Sequence, residues 1–323
     1  MALSACQGST SAVPPSTTPT PMPSPSAVIS TADVPRSKGI AVTQEQLANS
    51  DPCGLLDTRS LSKFGKADIE LAFSFTECEA QVDAVEGLAE VELGFDFGLP
   101  RESMKPTVRG GVTVYADSDD PNWCQRSVVV SPTATVNLAV DSGVPAKVRC
   151  AIADAAAKAM AARLAKGSLK RAQESPNSLA WQDACRLLDH NETAHVPGID
   201  RTRVHPAFRG QHCTWGEETV DKPNVFVSFS RDFPLKVRGT RDRETVIGGR
   251  SAVLRPEEAV DGPDYRTMAG CGVDIAHRPL DRPSDLRTLE IVHVSVSFDG
   301  PEKTRCDLAV ELATKAVSRL PSP

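Results

Sequence analysis

Cys53-Gly-Leu-Leu-Asp57 and Cys185-Arg-Leu-Leu-Asp189 are two copies of one motif, and each copy begins a set of four cysteines. The last cysteine of each set also lies in a repeated motif, Lys147-Val-Arg-Cys150 in the first set and Lys303-Thr-Arg-Cys306 in the second. The two sets are Cys53, Cys78, Cys124 and Cys150, followed by Cys185, Cys213, Cys271 and Cys306. This repetition predicts two similar domains with two disulfides in each.

The length of 323 residues is enough for two domains of ordinary size and an N-terminal tail. Residues 7–38 are rich in Ser, Thr and Pro, a composition that cannot bury a core and that behaves as an extended tether. We therefore expect four parts along the chain. They are a disordered tether (1–40), a first four-cysteine domain (41–166), a linker (167–179) and a second four-cysteine domain (180–323).

The spacing of the cysteines favours disulfides over metal binding. No Cys-x-x-Cys pair is present, whereas zinc sites usually take their ligands in close pairs. Even, widely spaced sets are typical of an oxidising compartment; the alternative, free thiols in a cytosolic protein, does not account for their matching positions in both halves. Four cysteines allow three connectivities, and we predict the nearest-neighbour one in each set. The predicted pairs are Cys53–Cys78, Cys124–Cys150, Cys185–Cys213 and Cys271–Cys306.

The N-terminal residues Leu3-Ser4-Ala5-Cys6 match the bacterial lipobox, in which the cysteine carries diacylglycerol. The basic and apolar regions of a signal peptide that should precede it are missing, which a translation start assigned too late or a trimmed chain would explain. We expect lipidation of Cys6 in the full-length protein, and hence an anchor on the outer face of the cell membrane. No apolar run is long enough for a spanning helix.

Hydrophobic periodicity predicts the same order of elements in both halves. In the first half Asp51 caps a helix that continues to about Phe64, and alternating strands follow. These strands are expected at 71–75, 91–99, 112–115, 127–130 and 135–140, and a closing helix at about 145–166. The second half is expected to have helices at 181–190 and up to Pro321, and strands at 225–229, 271–275 and 292–298. Each domain is predicted to be α+β, an antiparallel sheet with an N-terminal and a C-terminal helix on one face.

Several short motifs resemble the actinobacterial lipoprotein family known as domain of unknown function 3558. They are Asp51-Pro52-Cys53-Gly-Leu-Leu56, Cys213-Thr-Trp215, the glycine turns at 110–111 and 248–249, and the Cys-x-x-Ala closing helices. The resemblance covers residues 49–165 and about 180–320, as two tandem copies. The first copy departs from the pattern because no tryptophan follows Cys78, and the second has Ala184 where the first has proline. The resemblance implies a secreted, membrane-anchored actinobacterial protein and supplies no catalytic residues.

Composition and motifs disfavour nucleic-acid binding and most enzyme classes. Residues 41–165 carry 18 acidic against 11 basic side chains, which disfavours binding to a polyanion. No phosphate-binding loop, nucleophile elbow, zinc-protease motif or dinucleotide fingerprint is present. We therefore expect neither a catalytic site, nor a cofactor, nor a metal.

Four sets of residues invite a functional interpretation, and for each we favour a structural one. The six histidines match no ligand spacing, so they are expected as dispersed surface residues, with His293 facing outward on a strand. The adjacent acids at 119–120, 217–218 and 257–258 are expected in solvated turns, and the arginines between 231 and 255 in a solvated hairpin region. The tryptophans near cysteines are expected to pack on disulfides rather than to stack on sugars. The residues concerned are His190, His195, His205, His212, His277 and His293, and Trp123, Trp181 and Trp215.

The leading hypothesis is a non-enzymatic, membrane-anchored lipoprotein of the cell envelope that binds an envelope component or a protein partner. The main alternative is a carrier that holds a lipid or another small apolar ligand in a cleft between sheet and helix. A third hypothesis is an envelope hydrolase with a dispersed site. An apolar cavity would favour the carrier, and titratable groups converging in a cleft would favour the enzyme.

Overall fold

The computed structural model describes residues 36–70, 72–96, 104–117, 122–141, 143–261, 266–280 and 289–323. Two seven-stranded antiparallel sheets, a small two-stranded sheet, a few helices and four disulfides make up this part of the chain, so the protein is a mixed α+β protein. We call residues 41–166 unit one and residues 180–323 unit two. No helix among the described residues is long and apolar enough to cross a membrane.

Unit one contains the first seven-stranded sheet, which we call sheet one. Its strands are β1 (Gly65–Glu70), β2 (Glu77–Ala84), β3 (Gly87–Asp96), β4 (Lys105–Arg109), β5 (Val112–Asp117), β6 (Cys124–Ser131) and β7 (Ala134–Val140). Their order in the sheet is β1-β2-β3-β7-β6-β5-β4. The helices are α1 (Gln44–Ala48), α2 (Thr58–Leu61) and α3 (Ala146–Lys166).

Unit two contains sheet two. Its strands are β8 (Val204–Pro206), β9 (His212–Gly216), β10 (Asn224–Asp232), β11 (Arg243–Ile247), β12 (Arg250–Glu257), β15 (Gly270–Pro279) and β16 (Leu289–Ser297). A separate hairpin pairs β13 (Val260–Asp261) with β14 (Arg266–Thr267). The helices are α4 (His190–Thr193) and α5 (Glu302–Ser318). The sheet order is β8-β9-β10-β16-β15-β12-β11, which is the order of sheet one once the β13–β14 hairpin is set aside.

Each disulfide joins the sheet to a helix or a helical turn. The bridges are Cys53–Cys78, Cys124–Cys150, Cys185–Cys213 and Cys271–Cys306, with Cα–Cα distances of 5.0–5.2 Å. These are the pairs that the sequence spacing predicts. In unit two, for example, Cys185 lies in a 3₁₀ turn and bonds to β9, and Cys306 lies in α5 and bonds to β15.

The opening helix predicted from Asp51 to about Phe64 is wrong, because two short turns replace it. A 3₁₀ turn at Pro52–Gly54 is capped by Asp51, and α2 begins only after Asp57, whose side chain accepts from the Arg59 amide at 3.2 Å. Asp57 has extended backbone angles, so the helix cannot run through it. Unit two repeats this break, with 3₁₀ turns at 179–181 and 184–186 and α4 capped by Asp189.

The strand predicted at 71–75 is also wrong. Residue 71 lies outside the described residues, and the chain from Ala72 to Thr76 forms a bend and a turn between β1 and β2. Phe73 is 44 % exposed, whereas Phe75 is buried in the core of unit two. The alternation of apolar residues here reflects a contact between the units rather than a strand. Phe97 and Leu99, predicted to extend β3, lie outside the described residues.

Each sheet buries one face under helices and leaves most of the other uncovered; in sheet one a small apolar cluster of Met104, Tyr115 and Val129 is buried apart from the helix-covered core. In β2 the buried residues Cys78, Ala80 and Val82 alternate with partly exposed polar ones, and β3 follows the same rule. α3 packs its buried stripe, which includes Ile152 and Met160, against the apolar face of sheet one. α5 covers sheet two in the same way. We call the opposite side of each sheet its open face.

Candidate functional site

Two phenylalanines are exchanged between the units and fix their contact. Phe75, from unit one, is 3 % exposed and packs within the core of unit two. Phe208, from unit two, is 2 % exposed and packs within the core of unit one, where its ring lies 5.9 Å from that of Phe95 in an edge-on geometry. Since each core is completed by a residue of the other unit, the space between the units has fixed walls.

Two arginines hold the turn that carries Phe75. The buried Arg231 donates to the Ser74 carbonyl at 2.5 Å, and its guanidinium lies 4.8 Å from the centre of the Phe75 ring. Arg209 has a positive φ of 60° and donates to the Phe75 and Ala180 carbonyls at 3.4 and 3.3 Å. Burial lowers the pKa of Arg209 to about 10, with Glu174 opposing the shift and Arg231 adding to it.

The segment predicted as a linker, 167–179, contacts both units. Its first part pairs with unit one, because the Asp51 amide donates to the Lys170 carbonyl at 2.8 Å and Lys170 Nζ lies 3.0 Å from the Asp51 carboxylate. Its last part binds unit two, where the buried Glu290 accepts from Ser178 Oγ at 2.7 Å and from the Leu179 amide at 2.8 Å. The crossing between the units is therefore ordered chain.

A groove of about 680 Å³ lies between the open face of sheet one and the 207–212 loop of unit two. We call it the inter-unit groove. Its side chains are mostly polar, with Trp123, Met104 and Phe208 as larger apolar surfaces. The polar lining comprises Ser74, Thr76, Glu77, Glu92, Asp96, Gln125, Ser127, Asn137, Gln211 and His212. A groove of this size at the contact between two units is a common location for ligand sites.

Titratable groups in the inter-unit groove have shifted pKa values. Burial, followed by repulsion from Glu92, Glu79 and Asp96, raises the pKa of Glu77 to about 7. Burial and the nearby Glu90 also raise the pKa of Glu92. Burial lowers the pKa of His212. Shifts of this kind in a groove are typical of functional sites, although ion-pair networks in a scaffold produce them too.

Carboxylates extend from the groove across the open face of sheet one. Glu70 faces Glu79 across the β1–β2 pair, and Glu79 faces Glu92 across the β2–β3 pair, so three glutamates form one cross-strand row. Like charges directly opposite each other in a sheet are destabilising. Glu90, in the next row, has a raised pKa because of burial and of the neighbouring Asp141. This face therefore carries a concentrated negative charge.

A second groove, of about 640 Å³, lies on the open face of sheet two. We call it the sheet-two groove. Its lining includes the apolar side chains of Val220, Phe226, Val260 and Met268. The polar lining comprises His212, Thr214, Glu218, Asn224, Glu257, Glu258, Thr267, Ser295 and Ser297. His212 also lines the inter-unit groove, so the two grooves approach each other there.

A charged network on sheet two positions His293. The Nδ1 atom of His293 lies 2.7 Å from the Asp274 carboxylate, whose other oxygen accepts from Arg255 Nε at 2.5 Å. Burial opposes ionisation of Asp274, but these two hydrogen bonds outweigh it and hold its pKa below the ordinary value. Ser228 lies opposite His293 on β10, yet no hydrogen bond joins the two within the described chain. The network fixes the orientation of the His293 ring.

The histidines are dispersed, but they are not all surface residues as predicted. His277 is 3 % exposed; its Nδ1 accepts from Arg250, and its Nε2 donates to the Asn177 carbonyl at 3.1 Å. Burial lowers the pKa of His277 to about 4. Among the described residues, no group of three or more His, Cys, Asp or Glu side chains is arranged to hold a metal ion.

The arginines, tryptophans and acidic pairs singled out from the sequence also differ among themselves in burial and position. The arginines from 231 to 255 are not uniformly solvated, since Arg231 is buried and Arg255 binds Asp274. Trp215 is buried in the core of unit two, whereas Trp123 lines the inter-unit groove. Of the adjacent acids, Glu218, Glu257 and Glu258 line the sheet-two groove, whereas Glu217 pairs with Arg203. Asp119, Asp120 and the lipidation candidate Cys6 lie outside the described residues.

Sequence reasoning missed the residues that shape both grooves. Glu77 and Glu92 of the inter-unit groove, and Phe226 and Met268 of the sheet-two groove, carry no motif. Strand register and loop contacts bring the members of each pair into the same groove. One signal was available for sheet two: Gly270-Cys-Gly272 places two glycines on one face of β15, and glycine within a strand often marks a close approach. A Cβ on Gly272 would lie 2.8 Å from the His293 ring.

The chain matches no protein-family model, no curated protein and no solved structure. A function assigned to it therefore rests on the two grooves, on their charges and on the oxidising compartment that four disulfides indicate.

Proposed function

We propose that this protein is a non-enzymatic lipoprotein of the actinobacterial cell envelope that binds an envelope component or a protein partner in the inter-unit groove. The observation that carries the proposal is the groove itself, whose walls come from both units and whose contact is fixed by the exchanged Phe75 and Phe208. Its carboxylates favour a partner that presents basic groups. Cys6 would anchor the chain to the outer face of the membrane, in keeping with the lipobox match.

The proposal includes two similar domains, each with its longest helix on one face of an antiparallel sheet. The equal strand order of sheets one and two supports this, as do the disulfides at matching points. The short motifs that resemble the actinobacterial lipoprotein family known as domain of unknown function 3558 are the reason for proposing this compartment and the anchor. Mass spectrometry of protein isolated from its own host should find diacylglycerol on Cys6, and an unmodified Cys6 would contradict the anchor alone.

The groove is tested by binding of the purified full chain to isolated actinobacterial envelope. The double variant Glu77→Gln/Glu92→Gln should bind at least about tenfold more weakly, because it removes two groove carboxylates that a basic partner would contact. A matched control, Glu86→Gln/Glu244→Gln, replaces two exposed carboxylates outside both grooves and should bind like the wild type. Equal affinity of the two double variants would overturn the proposal. Release of soluble envelope fragments would instead favour a hydrolase.

A carrier of a small apolar ligand is the second candidate function, and the sheet-two groove favours it. Two of its apolar side chains are well exposed, Val220 by 59 % and Val260 by 43 %. The expected cleft lay between sheet and helix, whereas this groove lies on the opposite, open face. Native mass spectrometry of protein from its host would detect a co-purified apolar ligand.

A further inference from the structure

The sheet-two groove is closed at one end by two loops that meet across the sheet. The β9–β10 connection and the segment carrying β13 and β14 both leave the same end of sheet two. Their backbones join where the Met268 amide donates to the Val220 carbonyl at 2.7 Å. In the part of unit one that the structure describes, sheet one has no counterpart of the β13–β14 hairpin. The groove is therefore a feature of unit two among the described residues.

An aromatic row lies at the floor of the groove. The Phe226 ring lies between two imidazoles, 5.5 Å from that of His212 and 6.1 Å from that of His293. The side chains of Ser297, Glu257 and His293 lie over Gly270 and Gly272 of β15: a Cβ on Gly270 would be 3.0 Å from Ser297 Oγ, and one on Gly272 would be 2.8 Å from the His293 ring. Met268 adds a flexible, polarizable wall. An extended apolar chain would bury itself on this surface.

The polar rim of the groove is acidic. Among the described side chains that line it, Glu218, Glu257 and Glu258 are charged, and none is a lysine or an arginine. Glu258 is already paired with Arg241, and Glu218 lies 3.6 Å from His205. Glu257 forms no ion pair with any described residue, and its carboxylate lies over Gly270, beside Ser297. A negative charge next to an aromatic floor is complementary to an organic cation.

We infer that the sheet-two groove binds a single-chain amphiphile with a cationic head group. The apolar chain would lie along Phe226, Met268 and Val260, where burial of apolar surface drives binding. The head group would lie at the acidic rim of the groove, which Glu218 and Glu257 line. This inference rests on the second candidate function, the carrier, and names the class of its ligand.

The test uses calorimetry on the full chain with three probes, each below its micelle-forming concentration: dodecyltrimethylammonium, dodecyl maltoside and dodecyl sulfate. We expect one dodecyltrimethylammonium per chain, bound about tenfold more tightly than the maltoside, with the sulfate weakest. Phe226→Ala should weaken binding of all three probes. Glu218→Gln/Glu257→Gln should remove the preference for the cation and leave the affinity for the maltoside unchanged. The control, Glu86→Gln/Glu244→Gln, should preserve that preference.

Equal binding of the three probes, or binding that survives Phe226→Ala in a variant with a native circular dichroism spectrum, would overturn the inference. If the maltoside binds as well as the cation and Phe226→Ala abolishes both, the carrier function stands and the cationic head group is wrong. The loss of envelope binding in Glu77→Gln/Glu92→Gln tests the inter-unit groove instead. Failure here is therefore distinguishable from failure of the leading proposal.

Discussion

At Glu77, a partly buried carboxyl lies among three other acids. Glu92, Glu79 and Asp96 add their repulsion to the effect of burial, and the raised pKa of about 7 follows from both. Nothing in the local sequence reveals this, because Glu92 and Asp96 reach Glu77 only through the pairing of β2 with β3. The sequence predicts that alternate residues of these strands face away from the core. It does not predict which acids become neighbours.

The pKa of Glu77 leads to a prediction about stability. Because the folded-state pKa is raised from 4.5 to about 7, the stabilisation from proton binding is complete below about pH 4.5 and is lost as the pH rises through 7. Glu77→Gln should therefore stabilise the protein more at pH 8 than at pH 4.5. The change that it causes in the free energy of unfolding should be more favourable at pH 8 by roughly 1–3 kcal/mol. Denaturant unfolding at the two pH values, with disulfides intact, measures this difference.

A control is needed because His277 changes the free energy of unfolding with pH in the direction opposite to Glu77. Its lowered pKa removes stability as the pH falls from 6.5 to about 4, so the wild-type profile combines both effects. The difference between the wild type and Glu77→Gln isolates Glu77. Glu86→Gln, in the exposed turn between β2 and β3, should show no such difference. The same stability gain at both pH values would contradict the assigned pKa.

Paired hairpins illustrate which elements can be read from the sequence. The β4–β5 hairpin turns at Gly110 and Gly111 and the β11–β12 hairpin at Gly248 and Gly249, and all four glycines have positive φ between 56° and 83°. A two-residue turn of this type requires positive φ at both positions, so a Gly-Gly pair between strands predicts it directly. The prediction of one continuous opening helix in each unit was wrong, because an aspartate within each segment caps a new, short helix. Apolar periodicity does not reveal where such a cap lies.

Gly249 allows the turn geometry to be tested without a steric clash. Its φ is 79°, and no heavy atom lies within 4 Å of the position that a Cβ would occupy. Gly249→Ala should therefore lower the free energy of unfolding by about 1–2 kcal/mol through backbone strain alone. Gly249→Asn should cost less, since asparagine tolerates positive φ. Thermal unfolding of both variants provides the measurement, and an alanine variant as stable as the wild type would contradict the turn.

In the whole molecule, the exchange of Phe75 and Phe208 joins the cores of the two units. The sequence predicts the disulfide pairs and the two closing helices because both depend on local or repeated patterns. It does not predict that Phe75 is buried in the other unit, because periodicity shows that a side chain is buried and not which surface buries it. The interpretation of 71–75 as a strand failed for this reason.

Phe208→Ala should destabilise unit one although the residue belongs to unit two. It would leave a cavity beside Phe95, at a cost of about 3–5 kcal/mol for a buried phenylalanine. Hydrogen exchange should become faster at the amides of β2 and β3. Phe233→Ala, at a position that is 43 % exposed in unit two, should change stability by less than about 0.5 kcal/mol. Faster exchange confined to unit two would contradict the exchanged contact.

The position of Phe208 also sets an order of events during synthesis. A ribosome makes unit one, including Cys150, before it makes Phe208, so for that interval the first core lacks one of its side chains. Both Cys53–Cys78 and Cys124–Cys150 lie within unit one, so in an oxidising compartment they can form before Phe208 joins the first core. These two bridges would hold unit one together until unit two supplies Phe208 to the first core.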